Sequence, residues 1–408
     1  MTPYDSASLI VKKLQSAGFI SYFTGGWVRD YLMEHPSDDI DIATSATVNQ
    51  IQSLFEKTIP VGVQFGIIIV SENNHHFEVA TFRKESGYED GRRPTQIEIA
   101  SAKEDAQRRD FTINGMFFDP LTKEIFDYVD GKKDLEKKLI RAIGDAHHRF
   151  LEDRLRMIRA ARYACRFHFE IEKETKEAIR AHAKDLFPSV AIERVWQEFS
   201  KMKKFGGFKH FLLLLFELGL LSTIFPDLLD LDYKEVAKRV QVYDFFPKQT
   251  PLVAKLLELF PTYSLEKRIL LCERFKLSSE EKNFVKYLSD VESMILASES
   301  SRARLAHSFA KGPFLLCAQI ITAKFEKEKR DQILHFYEKK EQKISWAVEK
   351  IKNKTPVVTS NHLKAAGISP GRLMGIFLEE AEKVSIEQHL LDADLIIEIL
   401  KQDRRWPK

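Results

Sequence analysis

The chain has 408 residues, 44% of them apolar and 30% charged, with a formal net charge of +3. That length holds about two to three domains with cores of their own. The near-neutral balance excludes a protein that meets a polyanion by overall charge, so any such partner requires a local patch. The three cysteines, Cys165, Cys272 and Cys317, stand far apart with no metal-ligand spacing, and no apolar run is long enough to span a bilayer. The expectation is a cytoplasmic protein with reduced thiols and no membrane partner. The start, MTPYDSASLIVKKLQ, reads as an amphipathic helix and not as a signal peptide.

Residues 5–17 predict a first helix, with Asp5 or Ser6 as N-cap. The stretch Thr24 to Thr44, TGGWVRDYLMEHPSDDIDIAT, comes next. Gly25-Gly26 lets backbone approach a phosphate closely. The helix start after it presents free N–H groups, and Arg29 adds a phosphate fork. Asp39-Ile40-Asp41-Ile42 alternates like a strand, which sets Asp39 and Asp41 on one face. Two such acids can hold Mg²⁺ together with a substrate's phosphates.

Val48 to Phe55 predicts a short helix, and Val61 to Val70 a strand pair. His76 to Arg83 predicts a strand whose Glu78 is either an exposed edge residue or a third carboxylate facing Asp39 and Asp41. Gly87 to Pro94, GYEDGRRP, predicts a mobile loop, with a strand return at Ile97 and Ile99. Glu104 to Asn114 predicts a helix carrying Arg108 and Arg109. Phe126 to Ile143 predicts a turn, a basic helix and a short strand. About five strands precede residue 145, and none follows.

From about Arg149 the apolar spacing is helical throughout. Asp153, Arg156, Arg159 and Arg162 recur at i+3, a shallow spiral along one side of a helix. A row of like charges repels itself unless an anion lies along it. Asp153 with Arg156 also makes a base-reading edge. The carboxylate accepts from an exocyclic amino group, and Arg donates to a ring nitrogen or carbonyl oxygen. Cytosine and adenine fit that pattern; uracil and guanine meet it with the wrong groups. Lys324 to Lys354 predicts a helix with a solvated face or an RNA-tracking surface. Ser360 to Leu378 predicts two helices around the turn Gly367 to Gly371.

The motifs GGWVRD, DID, EVATFR, RRDFTIN, DGKKDLEKKLIRAIG and EDRLRMIRAARY stand in one order over residues 20–200. In this the chain closely resembles the class II tRNA nucleotidyltransferase/poly(A) polymerase family of the polymerase-β superfamily, most like its bacterial CCA-adding members. The resemblance implies an α+β nucleotidyltransferase head with a polymerase-β-like mixed sheet, followed by all-α neck, body and tail domains. The boundaries expected are 1–145, 146–208, 209–290 and 291–408, with tRNA bound in the tail. It further implies that Gly25, Gly26 and Arg29 hold a triphosphate and that Asp39, Asp41 and Glu78 are the catalytic acids. Asp39 and Asp41 would bind Mg²⁺. Arg109 would contact the nucleotide with Asn114 in support, and Asp153 and Arg156 would read its base beside Arg159 and Arg162. Glu193, Arg194 and Glu198 match the segment that braces the neck.

The implied reaction is template-independent transfer of CMP and AMP from CTP and ATP to the 3′ end of tRNA. No protein partner is predicted. A poly(A) polymerase remains open, but the segment Val61 to Gly66 is apolar where bacterial poly(A) polymerases carry a basic run, and the chain shows no long basic extension. A split CC-only or A-only enzyme also remains open, as does a non-catalytic RNA-binding protein. The loop Tyr88 to Pro94 favours A addition, and the retained Asp39 and Asp41 speak against a retired enzyme. His147-His148 predicts a turn or an RNA contact.

Overall fold

The computed structural model describes every residue except 36, 89–94 and 408. It divides into two compact units, Met1–Ala237 and Lys238–Lys408.

The first unit opens with helix α1 (Pro3–Ser16). Thr2, not Asp5 or Ser6, is its N-cap: the Thr2 side chain accepts from the Asp5 N–H, and Asp5 at the third helical position returns the bond. This reciprocal box satisfies two N–H groups that a helix start leaves unpaired. Strand β1 (Ser21–Thr24) leads into α2 (Gly26–Leu32), then β2 (Asp41–Thr44) and α3 (Val48–Leu54). The carboxylates of Asp39 and Asp41 do not both stand on a strand. Pairing begins at Asp41, opposite Thr24, and Asp39 lies in the exposed approach to it.

The predicted strand pair at 61–70 is a different structure. A short β3 (Thr58–Ile59) and a one-turn 3-10 helix, Val63–Phe65, precede β4 (Ile67–Glu72). The true hairpin joins β4 to β5 (His75–Thr81) through Asn73-Asn74, both at positive φ. Asparagine tolerates that left-handed pair, and its twist matches the strands. Strands β6 (Arg83–Ser86) and β7 (Gln96–Ile99) pair as a separate hairpin. Residues 89–94, where the sequence predicts a mobile loop, lie outside the described residues. Helix α4 (Ala102–Gln107) is shorter than predicted and stops before Arg108, which leaves Arg108 and Arg109 on the segment leading out of it. Strands β8 (Phe117–Phe118) and β9 (Ile125–Phe126), helix α5 (Gly131–Glu136) and strand β10 (Leu139–Ile140) complete the mixed part.

Seven strands form one sheet in the order β3-β4-β5-β2-β1-β8-β9. Only β2 and β5 run parallel; every other pair is antiparallel. Their inward side chains, among them Phe23, Ile42, Ile68, Val79 and Phe118, pack against Ile10 and Leu14 of α1 and Ile51 of α3. That alternation is the period-2 pattern of a half-buried sheet.

Helices α6 (Ala146–Glu152), α7 (Leu155–Phe167), α8 (Lys173–His182) and α9 (Ile192–Lys201) follow. One short strand, β11 (Glu170–Ile171), pairs with β10, so strand structure does not end before residue 145. His147 lies in α6, not in a turn, and its Nδ1 is 3.1 Å from His182 Nε2. The second unit is helical among its described residues. It includes the 27-residue helix Lys327–Asn353 and, as the spacing predicts, the pair Ser360–Ala365 and Arg372–Gln388. That pair and Ala393–Leu400 share an apolar core around Leu363, Phe377 and Ile396. Among the described residues, no helix is long and apolar enough to cross a membrane.

Candidate active site

A cleft of about 630 Å³ in the first unit is bordered by α2, the start of β2, the Arg108-Arg109 segment, α7 and the end of α9. All of the candidate residues except Glu78 line it.

Its floor is the turn from β1 into α2. Gly25 has φ +71° and ψ −134°, a backbone that a side-chain-bearing residue adopts only under strain. A Cβ there would also come within 3.4 Å of Arg109 and 3.8 Å of Asp41 Oδ2. Those are ordinary contacts, so it is the backbone conformation, not the space, that calls for glycine here.

Asp41 opens β2. Burial, then the charges of Glu78 and Asp39, push its carboxyl up to about 6, against the opposing pull of Arg109. The β2–β5 register pairs Ile42 with Val79, so one step back sets Asp41 beside Glu78. Crowded acids of this kind favour a cation, because the anionic forms repel one another. Among the described residues, no three His, Cys, Asp or Glu side chains form a metal cluster by themselves. Asp39 and Asp41 would hold a cation such as Mg²⁺, which is commonly bound by one or two carboxylates together with substrate phosphates.

Arg29 is not a free phosphate fork. It is 2% exposed, its Nε and NH2 donate to Asp30 Oδ1 at 2.8 and 2.7 Å, and its NH1 donates to Asn114 Oδ1 at 2.5 Å. Its guanidinium also lies over Phe167, 4.5 Å from the ring centroid. Arg109 is braced by Asp105 at 2.9 Å and sits over Phe117 at 5.1 Å.

The predicted single helix through Arg149–Arg166 is broken. Asp153, at φ −147° and ψ 102°, is extended backbone between α6 and α7. Its Oδ1 accepts from the Leu155 N–H at 3.0 Å, which closes the turn that starts α7. Aspartate competes for nearby backbone N–H groups in this way, and so favours helix starts over interiors. Asp153 thus stands beside the arginine row without belonging to it. Its carboxylate is paired with Arg194, while Arg156 bonds Glu152 at 2.6 Å and the carbonyl of Arg108 at 3.2 Å.

The repulsion expected along the row is answered by protein carboxylates. Arg159 donates to Asp110 through two nitrogens at 2.9 and 2.5 Å. Arg162 pairs with Glu198, with side chains 4% and 2% exposed. Arg166 reaches Asp30 at 3.3 Å, so Asp30 bridges α2 and α7 through Arg29 and Arg166. Burial alone would raise Asp110, but Arg159 and the Asn114 amide hold it down to about 2. Burial would likewise raise Glu198, and Arg162 and Arg159 hold it below its ordinary value.

The sequence reading missed Asp30, Asp110 and Lys201. For two of these a local signal existed, since Asp30 and Asp110 each directly follow an arginine already singled out. Lys201 had none.

Comparison with known proteins gives likenesses of both sequence and fold. Residues 21–141 match the poly A polymerase head domain, and residues 168–231 match the "Probable RNA and SrmB- binding site of polymerase A". A CCA-adding enzyme of Pediococcus pentosaceus is 44% identical over 200 residues, 49% of this chain and 50% of that protein. One from Staphylococcus saprophyticus is 42% identical over 217 residues, 51% of this chain and 54% of that protein. The chain thus spans about half the length of the curated relatives it matches. The Bacillus stearothermophilus CCA-adding enzyme in complex with CTP superposes with a TM-score of 0.78 at 23% identity, over 98% of each chain, a likeness of fold. In sequence the chain is thus similar to the poly A polymerase head and RNA-binding models and to curated CCA-adding enzymes, over about half of its length.

Proposed function

We propose that this protein adds CMP and AMP from CTP and ATP to the 3′ end of tRNA in the cytoplasm, building or repairing the CCA end. The observation that carries this is the single cleft that joins Asp39 and Asp41 to the polar pair Asp153 and Arg156. Relatives named CCA-adding enzymes, each matched over about half of this chain, support it. The reading divides the chain into a head (1–145), neck (146–208), body (209–290) and tail (291–408).

Enzymes of this family generally use divalent metals, and we assign Asp39 and Asp41 to Mg²⁺. When bound, two such cations would divide the work, one activating the 3′-hydroxyl and the other stabilising the leaving pyrophosphate. The chain's own part is positioning and electrostatics. Gly25 and Gly26 let backbone approach the triphosphate, and Arg109 faces it from above Asp41. Arg29 acts from beneath, held by Asp30 and Asn114. Arg159 and Arg162 supply fixed positive charge along α7. Glu78 crowds Asp41 and keeps the metal-binding end electronegative. Asp153, kept in plane by Arg194, and Arg156 meet the edge of cytosine or adenine.

A poly(A) polymerase is the second reading, favoured by the description of the matching head model. One experiment decides. The protein is given tRNA ending at the discriminator base, at C and at CC, with each NTP, and the products are sequenced. Addition of CCA is expected; a long A tail, CC alone or a lone A selects a different enzyme, and no extension overturns the reading.

A further inference from the structure

Three aromatic rings line the cleft. Trp27 and Tyr163 are 6% and 7% exposed; Phe205 is 44% exposed. Water around an apolar ring is costly, and an open ring at the edge of a charged cleft offers a π-face. Phe205 is also oriented. The Arg166 guanidinium lies 4.1 Å from its centroid and 4.6 Å from that of Phe167, and it is tethered to Asp30 at 3.3 Å. One face of Phe205 is thereby occupied, and its remaining exposure opens on the cleft. The ring follows the 3-10 turn Met202–Lys204, whose Lys203 and Lys204 are exposed, and precedes Gly206 and Gly207.

We infer that Phe205 is a stacking platform for a base near the 3′ end of the RNA acceptor, with Lys203 and Lys204 on the neighbouring phosphates. The inference rests on the nucleotidyl transfer proposed above. A flat apolar face beside cations matches single-stranded nucleic acid, whose bases stack while its phosphates pair. The base of the incoming nucleotide is not the occupant. It is read at Arg156, ten residues before Arg166 on α7, which is about 15 Å along the axis. One base does not span both positions, so the ring serves a second nucleotide. The matched RNA-binding segment, 168–231, includes all three residues.

The test is steady-state transfer to tRNA lacking its CCA end, with KM measured separately for tRNA and for NTP. F205L keeps apolar bulk but removes the π-face, and F205W restores it. F205L should raise KM for tRNA by roughly 5- to 100-fold, leave KM for NTP at the wild-type value, and be reversed in F205W. K203A/K204A should raise KM for tRNA and flatten its salt dependence. An F205L enzyme with wild-type KM for tRNA, or one in which KM for NTP rises instead, overturns the platform. Titration with labelled tRNA separates this from the underlying reading. A wild type that binds tRNA, is weakened by F205L and transfers nothing sinks the transfer reading and retains the platform.

Discussion

Asp153 and Arg194 face each other as a fork: Arg194 NH1 donates to Asp153 Oδ1 at 3.2 Å and NH2 to Oδ2 at 2.8 Å. Arg194 lies in α9 and Asp153 in the break before α7, so the pair joins two elements and fixes the plane of the carboxylate. Two parallel charge-assisted bonds fix orientation as well as position.

Arg194→Ala is therefore expected to leave Asp153 unsteered. With the assigned base-reading role, kcat/KM for CTP and ATP should fall roughly 10- to 100-fold, the scale of a small misplacement. Discrimination against UTP and GTP should fall with it, as it should on exchanging Asp153 or Arg156 directly. Competition among all four NTPs measures this; an even loss across the four removes the base-reading assignment.

Asp39→Ala or Asp41→Ala should abolish incorporation while tRNA binding persists, because the cation loses a carboxylate that the RNA does not touch. Single-turnover incorporation and filter binding on one preparation check it. Retained turnover in either variant would falsify the metal assignment.

The Arg162–Glu198 pair is almost fully enclosed. Arg162→Ala removes one charged donor from a buried carboxylate that keeps Lys201 at 2.7 Å and Arg159 at 3.9 Å, and a loss of about 1.5–3 kcal/mol is expected in urea unfolding. Arg162→Met with Glu198→Leu should recover much of it, since both desolvated charges are then gone. A single variant as stable as wild type means the pair is open to water in solution.

Asp110 supplies the pH dependence. Its folded value of about 2 lies below the ordinary 3.8, so the folded state favours the carboxylate. The resulting stabilisation is complete above pH 4 and is lost as the pH falls through about 2. Asp110→Asn should thus cost on the order of 2 kcal/mol at pH 7, and the gap to wild type should close between pH 4 and 2. Denaturant melts across that range read it; a gap independent of pH places the effect elsewhere.

The local signals in the chain were strong where geometry is local. Gly25-Gly26 demanded a turn, and the positive φ of Gly25 at the start of α2 is that turn. Asp39 and Asp41 were found by spacing, although only Asp41 is on the strand. The alternation around Glu78 identified a strand, but its place beside Asp41 depends on the parallel pairing of β2 with β5, about 35 residues apart. The break at Asp153 was invisible to periodicity, because the apolar spacing of α6 continues into α7. An aspartate that bonds its own backbone breaks a helix without disturbing that pattern.

The amino-acid sequence by itself determined the order of elements, the mixed sheet before the helices, the acids at 39 and 41 and the arginines of α7. These follow from short-range periodicity and residue chemistry. Only the tertiary structure decided which charges meet. Arg162 finds Glu198, Arg159 finds Asp110, and Asp30 holds Arg29 and Arg166 together, across separations of 36, 49 and 136 residues. Long-range ion pairs leave no period in a sequence, since their partners are chosen by packing, and packing is what takes both charges out of water at once.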